Sequence, residues 1–172
     1  MNRAILALFL SALAGCASTH QPKLRGNLFS ELQPGDRIHV RFASKGCFLS
    51  SDYDFEFARD TSTTVRVTSL TRSRSAAKKS FDYHSPKRLG TLTLTPRDIT
   101  GLDRLIRFYR THTVGGCTTT EDILIEHFRH IYGPTAPAMA TEHYIDLSCA
   151  TYGLSGVTTL PSLAERLEPK PK

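Results

Sequence analysis

Apolar and polar residues alternate with period two over much of the first half of the chain. Ile38, Val40 and Phe42 alternate with Arg37, His39 and Arg41, the pattern of a strand with one buried face. Ser44-Lys45-Gly46 reads as a turn, and a second strand runs from Cys47 to about Arg59. In it Tyr53, Phe55 and Phe57 alternate with Asp52, Asp54 and Glu56. Asp60-Thr61-Ser62 turns the chain again, and Thr64 to Leu70 is a third strand with Val65 and Val67 inward. The short connections predict an antiparallel meander.

The alternation fails over residues 71–90, where Arg72, Arg74, Lys78, Lys79, Lys87 and Arg88 gather around a single acid, Asp82. This stretch reads as a long exposed loop, or as a ragged hairpin around Phe81 and Tyr83. Thr91 to Leu94 is a short strand, and the period then changes to that of a helix. Thr95 suits the N-cap, Pro96 the first helical position and Asp98 the first-turn dipole. Ile99, Leu102, Leu105, Ile106 and Tyr109 form the apolar stripe, and the helix is predicted to end near Thr111. Ile123 to His130 and Ala140 to Ser148 read as a hairpin across Tyr132-Gly133-Pro134-Thr135-Ala136-Pro137. If it is centred on Thr135, Ile125 faces Ile145, Ile123 faces Leu147 and His127 faces His143. A slip of one residue would break that arrangement. Pro161 to Leu167 is a short amphipathic helix before a proline-bearing tail.

The order of strands, helix, strands and helix predicts an α+β domain. It is an antiparallel sheet of about five or six strands, with one long helix packed on it and a short C-terminal helix. Residues 35–168 are expected to form this single domain, and residues 169–172 a flexible tail. Residues 16–34 read as a tether, with Leu28, Phe29 and Leu32 able to dock one turn of helix on the domain.

The beginning of the chain has a different character. Met1-Asn2-Arg3 is basic, Ala4 to Leu13 is apolar except for Ser11, and small residues follow, as in a secretory signal. The apolar run is about 10 residues, and spanning a bilayer takes about 20. Leu13-Ala14-Gly15-Cys16 resembles the lipobox of bacterial lipoproteins. The resemblance implies removal of residues 1–15, diacylglycerol on the Cys16 thiol and acylation of its new amine. Two or three acyl chains give firm anchoring, whereas one gives marginal binding. Ala17, rather than an Asp that favours inner-membrane retention, implies an outer-membrane lipoprotein facing the periplasm.

Charge and cysteine count refine this picture only slightly. The formal charge is +6, which suits anionic partners such as lipid headgroups or envelope polymers, though a solvated surface explains it equally. An exported location argues against nucleic acid as a partner. With Cys16 given to lipid, Cys47, Cys117 and Cys149 remain, enough for one bridge and one leftover thiol. A Cys117–Cys149 disulfide closing the hairpin is expected, with pairing of either to Cys47 as the rival.

Motifs for chemistry are sparse. His127 and His143 are candidates for a cross-strand metal or pH-sensing pair, but no third ligand follows from the spacing. The plainer reading is two partly exposed histidines at the outer end of a sheet. Arg72, Arg74, Lys78, Lys79, Lys87 and Arg88 are candidates for contact with an anionic partner. Asp52, Asp54 and Glu56 suit a cation, a basic partner or simply a solvated face. Gly153-Leu154-Ser155-Gly156 does not match a Gly-x-Ser-x-Gly elbow, and Gly115-Gly116-Cys117 lacks the phosphate-loop Lys-Ser/Thr pattern. No catalytic residue and no cofactor is assigned. The expected function is that of a membrane-anchored envelope lipoprotein acting as a non-enzymatic binding or structural module. The alternatives are a periplasmic hydrolase or thiol enzyme, and an envelope inhibitor or immunity protein.

Overall fold

A computed structural model of the chain describes residues 26–46, 49–61, 65–75, 87–111, 115–116, 118–130 and 137–167. Period-two alternation becomes six strands: β1 (Arg37–Lys45), β2 (Leu49–Arg59), β3 (Val65–Ser75), β4 (Lys87–Thr93), β5 (Thr120–Phe128) and β6 (Ala140–Asp146). Together they form one antiparallel sheet in the order β4-β3-β2-β1-β5-β6. The first three strands are the expected meander, and β4 extends it beyond β3. β5 then docks on the free edge of β1, and β6 closes the far side. Helix α1 (Pro96–Thr111) separates the two groups, and α2 (Leu160–Leu167) follows β6. The domain is therefore α+β, as the pattern predicts.

Both helices lie on one face of the sheet. Ile38, Val40, Phe42, Phe55, Phe57, Ile123 and Ile125 point into a core shared with Leu102, Leu105 and Ile106 of α1 and with Leu160, Leu163 and Ala164 of α2. Gly101 lets the loop before α2 cross α1 closely, since a Cβ there would lie 2.5 Å from the Thr158 hydroxyl. The start of α1 is fixed reciprocally. The Thr95 Oγ1 accepts the Asp98 N–H at 3.2 Å, and an Asp98 carboxylate oxygen accepts the Thr95 N–H at 3.0 Å. Arg166 of α2 adds a 2.7 Å ion pair to Asp98. Burial acts to raise the Asp98 pKa, but the bonds from Arg166 and Thr95 outweigh it and hold the carboxyl at about 2.

Leu28, Phe29 and Leu32 dock on the domain, buried in its core, and Phe29 meets Phe57 edge-on at 4.8 Å between centroids. Asp103 of α1 holds this turn by accepting the Phe29 N–H at 2.7 Å and the Ser30 N–H at 3.2 Å. The third strand does not stop at Leu70. It continues to Ser75 opposite β2, and β4 begins at Lys87, so both ends of the basic stretch are strand, as in the hairpin alternative, while residues 76–86 lie outside the described residues. The β5–β6 register also differs from that centred on Thr135: Ile125 lies opposite Glu142, Ile123 opposite Tyr144 and His127 opposite Ala140. An odd shift reverses which β6 residues face inward. Ile145 and Leu147 are consequently exposed, at 52% and 38%.

Candidate functional site: the uncovered sheet face

No described element covers the second face of the sheet. Its rows follow from the register. Ala43 of β1 lies between Asp52 of β2 and Asp122 of β5, while Arg41 lies between Asp54 and Leu124, with His143 of β6 beyond. The short Ala43 side chain among longer neighbours leaves a groove of about 360 Å³. Three carboxylates, the Arg41 guanidinium and the His143 imidazole line it, with Leu124 as an apolar wall.

Charges along this face are paired across strands. His143 Nε2 lies 2.7 Å from an Asp122 oxygen, with both side chains about half exposed. Arg41 and the His39 Nδ1 share one Glu126 oxygen at 3.3 and 3.4 Å. A smaller depression of about 260 Å³ adjoins them, lined by Arg37, His39, Glu56 and Phe128. The Arg37 guanidinium lies 5.7 Å from the centre of the Phe128 ring. In chemical terms the groove accepts a group that carries positive charge beside an apolar portion. His143, oriented by Asp122, has the form of a general base. Among the described residues neither His39 nor His143 has a hydroxyl or thiol nucleophile hydrogen-bonded to it.

The inward face carries a separate polar layer near the end of α1. Arg110 donates to both oxygens of buried Glu142 at 3.0 and 2.9 Å, and to the Gly26 carbonyl at 2.8 Å. The Tyr144 hydroxyl also donates to Glu142. Burial, with that bond, pushes the Tyr144 phenol up to about 12. Glu121 accepts bonds from Tyr109 and Thr151. His127 is buried with an Asp36 oxygen 3.6 Å away; burial lowers its pKa, although Asp36 pulls the other way.

The residues singled out in the sequence distribute as follows. His127 and His143 are not a pair, because they occupy opposite faces of the sheet: His127 is buried inward beside Asp36, and His143 is exposed on the groove. Among the described residues no group of three or more His, Cys, Asp or Glu side chains is arranged to hold a metal ion. Arg72 and Arg74 belong to β3 and Lys87 and Arg88 to β4, whereas Lys78 and Lys79 lie outside the described residues. Asp52, Asp54 and Glu56 do face away from the aromatics. Cys149 is disulfide-bonded and takes up the left-handed conformation at φ 53°. Cys16, Cys47 and Cys117 lie outside the described residues. Sequence reasoning missed Glu121, Glu142 and Asp146. For Glu121 the signal was present, since counting back from Ile125 and Ile123 by twos reaches it on the inward side.

No family model, curated protein or solved structure matches this chain.

Proposed function

We propose that the protein is a lipid-tethered binding module of the bacterial cell envelope, held at the outer membrane through Cys16, which recognises a protein partner with the uncovered face of its sheet. The observation that carries this reading is the groove over Ala43, open and lined by both signs of charge. A uniformly anionic polymer would meet Asp52, Asp54 and Asp122 there and be repelled. A polypeptide presenting a basic side chain beside apolar ones satisfies the carboxylates and covers Leu124, and it extends onto exposed Ile145 at the sheet edge. A hydrolytic reading has one observation in its favour, the Asp122–His143 contact, but no nucleophile stands beside it among the described residues.

The test is photo-cross-linking from position 124 in cells, followed by fractionation. The lipidated protein is expected to sediment with membranes and to capture one defined protein. Ala43→Arg, which fills the groove, should abolish capture, whereas Glu165→Arg on exposed α2 should retain it. Cys16→Ser should release a folded domain from membranes. Capture that survives Ala43→Arg, or no captured protein at all, would sink the binding reading. A Cys16→Ser variant that still sediments would sink the anchor.

We assign Cys117 as the partner of Cys149. In the sequence Cys117 precedes β5 and Cys149 follows β6, so the two cysteines flank the β5–β6 hairpin. Closing a loop of about 33 residues stabilises the fold by roughly 3–4 kcal/mol in the chain-entropy description. Non-reducing peptide mapping should recover a Cys117–Cys149 peptide, and a peptide bridged through Cys47 would overturn the assignment.

A further inference from the structure

Glu121 and Asp146 stand directly opposite one another where β5 pairs with β6, on the face turned toward α1. Both are buried, at 4% and 1% exposure. The Glu121 oxygens accept bonds from the Tyr109 hydroxyl of α1 at 2.8 Å and from the Thr151 hydroxyl at 3.2 Å. Thr151 belongs to the 3-10 turn (Ala150–Gly153) that follows Cys149. One Asp146 oxygen accepts the Ser148 N–H at 3.1 Å, and the other, Oδ2, has no hydrogen-bond partner. Among the described residues no cation is paired with either carboxyl. Arg110, on the same end of α1, is engaged by Glu142.

Two buried, unneutralised carboxylates side by side cannot both ionise cheaply, and the usual resolution is that one stays protonated. We propose that Glu121 and Asp146 hold one proton between them in the folded protein at neutral pH, forming a pH-sensitive latch that fastens the 3-10 turn after Cys149 to α1 and the β5–β6 edge. With the proton present, Glu121 accepts from Tyr109 and Thr151 as a neutral acid, and the orphan Asp146 oxygen is the acceptor available to its hydroxyl. Without it, two negative charges oppose one another under the turn, a repulsion that the bonds from Tyr109 and Thr151 offset only in part.

The surroundings agree. α1 presents Tyr109, β6 presents Glu142 and Tyr144, already tied to Arg110, the turn presents Thr151, and the segment before it presents the Ser148 N–H. Burial first, and then the charge of Asp146, raise the Glu121 pKa, against the bonds from Tyr109 and Thr151. A folded-state pKa raised above the unfolded value means that the folded state binds more protons. The stability linked to Glu121 is therefore complete below about 4.5 and is lost as the pH rises through the folded-state pKa. His127 has the opposite sign. Its lowered pKa makes its contribution complete at high pH, and that contribution is lost as the pH falls below about 6.5. The difference between wild type and a variant, rather than the wild-type curve, therefore isolates the latch.

The test uses the full chain in detergent. Carboxyl carbon NMR should show Glu121 titrating well above the ordinary glutamate range, and its pKa should fall toward that range in Asp146→Asn. Glu121→Gln keeps an acceptor for Tyr109 and Thr151 and places an amide near the orphan oxygen. Its Tm should exceed that of wild type by about 2–4 °C at pH 8, with the gap closing by pH 5. Glu121 titrating in the ordinary range, or a Tm gap that does not change with pH, would overturn the proposal. So would a rise in Tm with added calcium ion that disappears in Asp146→Asn, because the orphan oxygen would then belong to a cation.

Discussion

Arg110→Ala is expected to destabilise the domain by roughly 3–5 kcal/mol, the cost of breaking a buried ion pair from one side. Glu142 is 6% exposed, and Arg110 grips both of its oxygens, so the variant leaves a carboxylate in the protein interior with only the Tyr144 hydroxyl as donor among the described residues. The same guanidinium holds the Gly26 carbonyl, so the first described residue loses its tie to α1 as well. Urea unfolding measures the loss. Adding Glu142→Gln should recover a substantial part of it, because the stranded charge is then gone. A cost below about 1 kcal/mol for Arg110→Ala, the value typical of an exposed pair, would refute this account.

Phe29→Ala should cost a similar amount, about 3–5 kcal/mol, by opening a cavity in the core. Phe29 is 1% exposed and packs edge-on against Phe57 of β2, while its N–H is fixed by Asp103 of α1. The outcome decides where the tether ends. If residues 26–36 are part of the domain, unfolding remains a single transition at lower denaturant concentration. If they were an external leash, the midpoint would hardly move, and a protease would clip near residue 29 in wild type as readily as in the variant.

Most of the architecture was legible because each element is locally consistent. Tyr53, Phe55 and Phe57 against Asp52, Asp54 and Glu56 leave one orientation for β2, and the Thr95-Pro96 start with the Leu102, Leu105 and Ile106 stripe leaves one position for α1. The β5–β6 register was not legible, because the chain between Phe128 and Ala140 does not say where a hairpin turns. Centring the hairpin on Thr135 put Ile125 against Ile145, whereas the fold satisfies Glu142 through Arg110 and leaves Ile145 outside. That single difference separates His127 from His143 and creates the His143–Asp122 side of the groove. The groove itself depends on Ala43 lying between two strands far apart in sequence, which no local pattern reveals. The extension of β3 past Leu70 was hidden for another reason: Arg72, Ser73, Arg74 and Ser75 lack the apolar alternation that marks a half-buried strand.

The central place of β1 sets an order on folding. β2 and β3 follow it through short connections, β4 follows β3 directly in sequence order, and these strands can pair as they emerge, but its other neighbour, β5, reaches it only through contacts such as Arg37 with Phe128. Pairings of such long range are slow to close. Until β5 arrives, one whole side of β1 presents unpaired backbone N–H and C=O groups, the condition that invites pairing with another chain. The charged Arg37, His39, Arg41 and Lys45 on that strand guard it during the interval, so the same residues that later line the sheet's open face also protect the nascent chain from its neighbours.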